Sequence, residues 1–256
     1  MSELARFAYA QARLQARHGA RPNEAVWLQL QGVGDLASYL QLAQHSPLRP
    51  WVLGMQARQN SHAIELSLRR QFRNYVDEVA RWLPGRWKPT LRWLRRLVDL
   101  PALQYLLSEA PVPAWMQDDP ALRPLAGESL STRIEALRNS DCRCLLATSW
   151  QDRPLYEAWF ECWQRHWPHA PAFTGGLRTL GNVLLAHVRA QQPGSHTLTR
   201  RRREALVPVL QGVFRRHSFQ PAAACAHLAM VALDLERLRG DLLRRVLFAQ
   251  MPGVRP

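Results

Sequence analysis

The chain has 256 residues, of which 47% are apolar, so it can form one large domain or two small ones and is not disordered by composition. Its formal net charge is +14, with a pI of about 11.1, and Lys88 is the only lysine. This charge predicts an anionic neighbour and leaves open whether that is nucleic acid, a lipid head-group layer or an acidic protein.

The residue content predicts helices along the whole chain. Leu, Ala, Arg and Gln dominate, and these residues lose little side-chain freedom in a helix. Val, Ile and Thr are sparse, and no stretch alternates apolar and polar residues as a strand would, so we expect an all-α fold. The predicted helices cover approximately residues 2–18, 23–31, 35–44, 61–83, 130–148, 153–167, 176–191, 199–217 and 221–250, with two more that begin at Pro89 and after Asp99.

The segment 61–83 shows the clearest helical period. Its apolar residues recur every three or four positions and therefore fall on one face, with Ser61 as the expected cap and Pro84 at the end. The helix that begins at Pro89 is predicted to turn its leucines inward. Its outer face then carries a stripe of arginines, which are Arg92, Arg95 and Arg96.

Four prolines make the segment 110–127 the expected linker. It would divide the chain into a first helical unit at 1–109 and a second and third unit at 128–256, packed separately or as one continuous body. The pair Asp118 and Asp119 lies in this linker, where a turn and a following helix cap are expected rather than a general acid–base pair.

The N-terminus and the cysteines bear on location. Residues 2–18 carry charges throughout and lack the apolar core of a signal peptide, and the apolar run 222–233 is shorter than the roughly 20 residues that cross a bilayer. The four cysteines form no CxxC pair, which favours buried thiols in a reducing compartment. We expect a reducing compartment such as the cytoplasm, and any membrane contact would be peripheral or through a partner.

One pattern occurs three times. The chain reads DLPALQYLL from Asp99, GLRTLGNVLL from Gly176 and DLERLRGDLL from Asp234. Three copies of one helical unit explain this pattern, so we predict a compact, partly concave body of three related units. The residues expected to hold structural positions in the motif are Asp99, Leu103, Leu177, Leu180, Asp234 and Leu238.

The first helix resembles the opening helix of the C/d subunits of A-type and V-type rotary ATPases. The residues that carry this resemblance are Tyr9, Ala12, Arg13, Leu14, Ala16 and Arg17. The segment 33–51 resembles that family's tight Tyr/Leu-Arg-Pro turn, and the segment 64–107 resembles its long helix pair, which closes on an Asp-x-x-Asn-Leu-x-x-Leu-Leu element. The chain is shorter and more basic than the family, and the motif itself departs from it at Ala102, Thr179 and Arg237, which replace Asn, and at Gly176, which replaces Asp.

The resemblance implies a mechanical role. Such a subunit couples the central stalk to the membrane rotor ring, is not an enzyme, and uses no cofactor, metal or small-molecule substrate; its partners are ring and stalk subunits. The alternatives are a basic α-helical nucleic-acid-binding protein and a generic helical scaffold. No phosphate-binding GxxxxGK[ST] loop and no GxSxG or HExxH motif occurs, although an enzyme with an unrecognised site stays as a further alternative.

Basic residues are the candidates for a partner interface, and a solvated outer face is the alternative for each of them. Four consecutive arginines begin the helix predicted at 199–217, where the helix dipole disfavours cations, so an anionic partner would stabilise them. The candidates are Arg13, Arg17, Arg92, Arg95, Arg96, Arg200, Arg201, Arg202 and Arg203.

Ordinary packing is expected for two further sets of residues. Trp159, Trp163 and Trp167 share one side of a predicted helix, where core packing is expected and stacking on bases is the alternative. A set of cysteines and histidines suggests zinc but lacks the spacing of structural zinc sites, so buried thiols and surface histidines are expected. This set comprises Cys142, Cys144, His166, His169, Cys225 and His227.

Overall fold

The computed structural model of the protein describes residues 2–146, 154–189 and 196–249, without the side chains of 196–202 and 248–249. The fold is all-α, as predicted, and no strand occurs in these ranges. The α-helices are α1 Glu3–Gly19, α2 Glu24–Gln31, α3 Leu36–Gln44, α4 Arg49–Val52, α5 Ser61–Trp82, α6 Lys88–Arg92, α7 Leu100–Leu106, α8 Ala114–Asp118, α9 Leu130–Arg138, α10 Leu155–Arg165, α11 Pro171–Arg189, α12 His196–Arg216 and α13 Pro221–Ala249. Short 3₁₀ helices cover Gly85–Trp87, Trp93–Asp99, Arg123–Leu125 and Arg143–Leu146.

The helix α5 forms the centre of the N-terminal half. Its predicted apolar face is confirmed, since Ile64, Phe72 and Val76 are buried. The cap is Asn60 rather than the expected Ser61, because the Asn60 side chain accepts a hydrogen bond from the Ala63 N–H. α1, α6 and α13 pack around α5 and bury its apolar face.

The helix α13 packs against helices from both the N-terminal and the C-terminal half of the chain. Its first turns, at 222–226, are alanines and one cysteine and are fully buried. Small side chains allow neighbouring helix backbones to approach closely, and α13 packs against α12, α5 and α11. α12 runs without interruption through Pro208, where a kink was expected, and begins at His196, three residues before its predicted start.

Two predicted helices are shorter than expected. The helix from Pro89 ends at Arg92 and continues as the 3₁₀ segment Trp93–Asp99. The helix predicted at 130–148 ends at Arg138, because Ser140 caps its end: the Ser140 hydroxyl donates to the Leu137 carbonyl and accepts from the Cys142 N–H.

The segment 110–127, predicted as a linker, is packed into the body. Met116, Leu122 and Leu125 are buried in the same apolar cluster as α5 and α13. The prolines do prevent a long helix here, but the short turns between them turn apolar side chains inward. The segment therefore joins the parts of the chain on either side of it.

A disulfide connects Cys144 and Cys162, whose Cα atoms lie 5.8 Å apart. It ties the 3₁₀ segment Arg143–Leu146 to α10, so the expectation of free thiols is wrong for this pair. Cys142 and Cys225 are free and buried, as expected.

Candidate functional site

Asp99, the first residue of the repeat motif, lies in a buried network of charges. It accepts hydrogen bonds from Arg73 on α5 and from Arg96, the latter at 3.3 Å. Arg73 also donates to both oxygens of Asp119, at 2.8 and 2.9 Å, and Arg69 lies 3.7 Å from the same carboxylate. Guanidinium groups therefore surround both carboxylates.

The pKa of Asp119 reflects these contacts. Burial by itself raises the pKa of a carboxyl, but hydrogen bonds from Arg73 and from the Ala121 N–H, together with the charge of Arg69, more than offset burial. The pKa of Asp119 therefore lies below its usual range, and the group is charged at neutral pH. The Asp119 oxygen that binds the Ala121 N–H forms the turn that the sequence predicted.

Asp234, the first residue of the third copy of the motif, makes a similar contact. Arg21, between α1 and α2, donates from Nε and Nη2 to its two oxygens at 2.7 and 2.9 Å. The leucines of the motif are all fully buried, as expected of structural positions; these are Leu103, Leu177, Leu180 and Leu238.

A cleft of about 520 Å³ runs beside α5, between α1, the turn 47–51 and α13. Its wall includes Trp51 and Tyr75, which meet edge to face with ring centroids 5.4 Å apart. Arg17 and Arg21 reach it from α1 and the following turn. The volume falls in the range of about 300–1,000 Å³ that is typical of small-ligand sites.

A second hollow of about 470 Å³ continues the cleft along α5 and shares Asn74 and Arg81 with it. Here Arg92 and Arg95 lie 3.4 and 3.2 Å from opposite oxygens of Asp77. We call the two hollows together the α5 cleft. Five arginines and three carboxylates line it, so it carries excess positive charge: Arg17, Arg21, Arg81, Arg92 and Arg95 against Asp77, Glu78 and Asp234.

The α5 cleft brings together Arg17, Arg92 and Arg95, three of the predicted interface residues. Arg21 and Arg81 also line the cleft, although neither is among the predicted interface residues. Arg81 follows from helical spacing, because it lies on α5 three and four residues after Glu78 and Asp77, which also line the cleft. Arg21 lies beyond the end of α1, where helical spacing does not apply. Their significance depends on how α1 and α6 pack on α5, which no local pattern indicates.

The other candidates lie elsewhere. Arg13 packs over the ring of Trp82, with its guanidinium carbon 4.9 Å from the centroid. Arg96 was predicted to point outward but is only 16% exposed, because it turns inward to Asp99 and Asp141. Arg203 binds Glu236 on α13 at 2.8 Å. The side chains of the remaining three, Arg200, Arg201 and Arg202, lie outside the described part of the chain.

A buried aromatic and histidine cluster lies behind the α5 cleft. The Tyr75 hydroxyl and the His227 Nε2 are 2.7 Å apart, and His227 is fully buried. Burial, followed by the charge of Arg21, lowers the pKa of His227 to about 3, so its ring is neutral at physiological pH. His18 stacks on Phe214 beside it, and burial lowers its pKa as well.

Several of the tryptophans and of the cysteine–histidine set lie in the core. Trp159 and Trp163 are buried, as predicted, and the Trp163 indole N–H donates to the Thr90 carbonyl at 2.9 Å. His227 was expected at the surface and is instead in the core. Among the described residues, no three histidine, cysteine or acidic side chains lie close enough together to hold a metal ion.

Within residues 2–146, 154–189 and 196–249, none of the helices combines the length and the apolar character that crossing a bilayer requires. No family model, no curated protein and no solved structure matches the chain.

Proposed function

We propose that the protein is a non-catalytic subunit of an A-type or V-type rotary ATPase that couples the central stalk to the membrane rotor ring. It would act on the cytoplasmic side of the membrane, in peripheral contact through the ring. The proposal rests on the resemblance of the first helix and of the threefold motif to the C/d subunits.

The observation that carries the proposal concerns the motif aspartates. Asp99 and Asp234 occupy the same position in two copies, and each binds an arginine from a distant part of the chain, namely Arg73 and Arg21. Two separate copies thus use the same residue type for the same kind of cross-helix contact. A body fixed in this way suits a part that transmits torque, because torque is lost when helices slide past one another.

Co-purification tests this proposal. Affinity purification of the tagged chain from native membranes is expected to recover ring and stalk subunits. The neighbouring reading frames are expected to encode other subunits of the same complex. Repeated purifications that recover neither ring nor stalk subunits would exclude the role.

Charge reversal in the α5 cleft locates the interface. Arg92 and Arg95 are 53% and 40% exposed, so Arg92→Glu with Arg95→Glu should weaken assembly and leave helicity, measured by circular dichroism, unchanged. Arg70→Glu with Arg138→Glu is the matched control, since it makes the same change in net charge and both residues are exposed and lie outside the cleft. Equal loss of assembly in both variants would show that net charge, not this surface, matters.

The second candidate function is nucleic-acid binding, which the excess of arginines in the α5 cleft favours. It predicts tight binding that weakens steeply as salt rises, because phosphate contacts release counterions. A mobility-shift titration at low and at physiological salt tests it. Absence of a shift at both salt concentrations would exclude this function.

A further inference from the structure

The α5 cleft has its strongest excess of positive charge in its second hollow. Arg92 and Arg95 share the single carboxylate of Asp77, and Arg81 adjoins them. Among the described residues no carboxylate lies within ion-pair distance of Arg81. Three guanidinium groups therefore face one carboxylate, an arrangement that favours a bound anion with several oxygens.

The existing ion pairs in the second hollow are weak. Arg92 and Arg95 contact Asp77 at 3.4 and 3.2 Å, and all three side chains are about a third or more exposed. Water screens such pairs, so exchanging them for contacts with an incoming phosphate costs little. Phosphate oxygens also match the planar fork of an arginine better than a shared carboxylate does.

The other end of the α5 cleft is aromatic. Trp51 and Tyr75 line it, and their edge-to-face contact fixes both rings. Flat heterocyclic rings stack on such side chains without requiring specific hydrogen bonds. Gln71 and Asn74 also line the first hollow, Asn74 lines the second hollow as well, and the Gln71 Oε1 is buried without a hydrogen-bond partner.

We propose that the α5 cleft binds a small phosphorylated molecule with a flat ring, of the nucleotide class. Its phosphates would contact Arg81, Arg92 and Arg95, its ring would lie against Trp51, and the amide of Asn74, which lines both hollows, would lie between them. This proposal does not depend on the rotary-ATPase role, because it concerns a ligand and not an assembly.

Titration calorimetry with ATP, AMP and inorganic pyrophosphate tests the proposal on the full chain. Saturable binding of ATP to one site is expected. Arg81→Gln should weaken the binding of both ATP and pyrophosphate by about tenfold, since it removes a charge-assisted contact. Trp51→Leu should weaken the binding of ATP and AMP by about tenfold, since only the nucleotides carry a ring. The affinity for pyrophosphate should stay within about twofold of that of the unmodified chain.

Arg70→Gln is the matched control. Arg70 is exposed on the same helix and lines neither hollow, so its loss removes the same charge without touching the site. ATP binding to this variant should stay within about twofold of the unmodified chain. Equal weakening by Arg70→Gln and Arg81→Gln would overturn the proposal, because it would show attraction to the net charge alone.

Three other results would overturn it. These are the absence of saturable ATP binding, an equal effect of Trp51→Leu on ATP and pyrophosphate, and binding of a single-stranded oligonucleotide without any binding of ATP. The last result would assign the cleft to nucleic acid. Because Arg81 is exposed, Arg81→Gln should fold like the unmodified chain. Circular dichroism of Trp51→Leu would confirm that the helices of that variant persist.

Discussion

Arg73 and Asp119 form a two-point ion pair in the core, with Nη1–Oδ1 and Nη2–Oδ2 distances of 2.8 and 2.9 Å. The Asp119 side chain is fully buried, and that of Arg73 is 7% exposed. Arg73 also binds Asp99, so one guanidinium joins α5 to two segments that follow it in the chain. This contact holds the proline-rich segment 110–127 against the body.

Removing Asp119 should therefore destabilise the protein strongly. We expect Asp119→Ala to lower the free energy of unfolding by about 3 kcal/mol, because it leaves buried guanidinium charge with one carboxylate fewer. Urea unfolding followed by circular dichroism measures this. Asp77→Ala, which breaks exposed pairs, should cost at most about 1 kcal/mol. Equal losses in the two variants would contradict the buried network.

Stability should fall as the pH drops through the usual titration range of histidine. The buried His227 has its pKa lowered to about 3, whereas an unfolded histidine titrates near 6.5. Between these values the unfolded chain binds a proton that the folded chain does not, so folding is favoured at the higher pH and weakens by about 1.4 kcal/mol per pH unit as pH falls below about 6.5. His18 acts in the same direction.

A variant isolates the contribution of His227. His227→Leu removes the titrating ring, so its free energy of unfolding should fall less steeply between about pH 6.5 and pH 5 than that of the unmodified chain. The comparison uses slopes, because the variant also loses the contact with Tyr75 and starts from lower stability. Identical slopes would show that His227 titrates equally in the folded and unfolded chains.

The sequence predicted what depends on neighbours along the chain. The apolar period of α5 and the all-α fold follow from local spacing, and the turn at Asp119 follows from its Asp-Pro context. The ion pair of Asp119 could not be predicted, because its partner Arg73 is 46 residues earlier and meets it only after packing. Prolines indicate where a helix ends, but they do not indicate whether the segment is free or buried.

The α5 cleft shows the same division. Arg92 and Arg95 stand out in the sequence as an outward stripe, and the structure places both on the cleft. Arg96 belongs to the same stripe but turns inward, since the short 3₁₀ segment Trp93–Asp99 changes the direction of its side chain relative to an α-helix. Helix type is decided here by packing, so one member of the stripe was assigned to the wrong face.

Close packing between α10 and α11 depends on Gly181. A Cβ at this position would lie 2.1 Å from a ring carbon of Phe160. We expect Gly181→Ala to destabilise the protein by about 1–3 kcal/mol, measured by urea unfolding, because the ring or the helix must move. Gly175→Ala on the same helix meets nothing within 4 Å and should instead stabilise by about 0.5–1 kcal/mol. A stabilising Gly181→Ala would contradict this helix contact.

The disulfide between Cys144 and Cys162 predicts a defined pattern of thiol labelling. Cys142 and Cys225 are free but buried, and burial raises the pKa of the Cys142 thiol to about 12 and that of Cys225 as well, so neither should react with iodoacetamide in the folded chain. Unfolding without reductant should expose these two thiols, and unfolding with reductant should expose all four. Mass spectrometry of the labelled protein counts them. Four labelled thiols without reductant, in protein purified in air, would show that Cys144 and Cys162 stay reduced although they lie close together.

The bond between Cys144 and Cys162 closes a loop of 18 residues, so its reduction should also lower the free energy of unfolding by about 3 kcal/mol. A loss of this size separates a structural bond from an incidental contact.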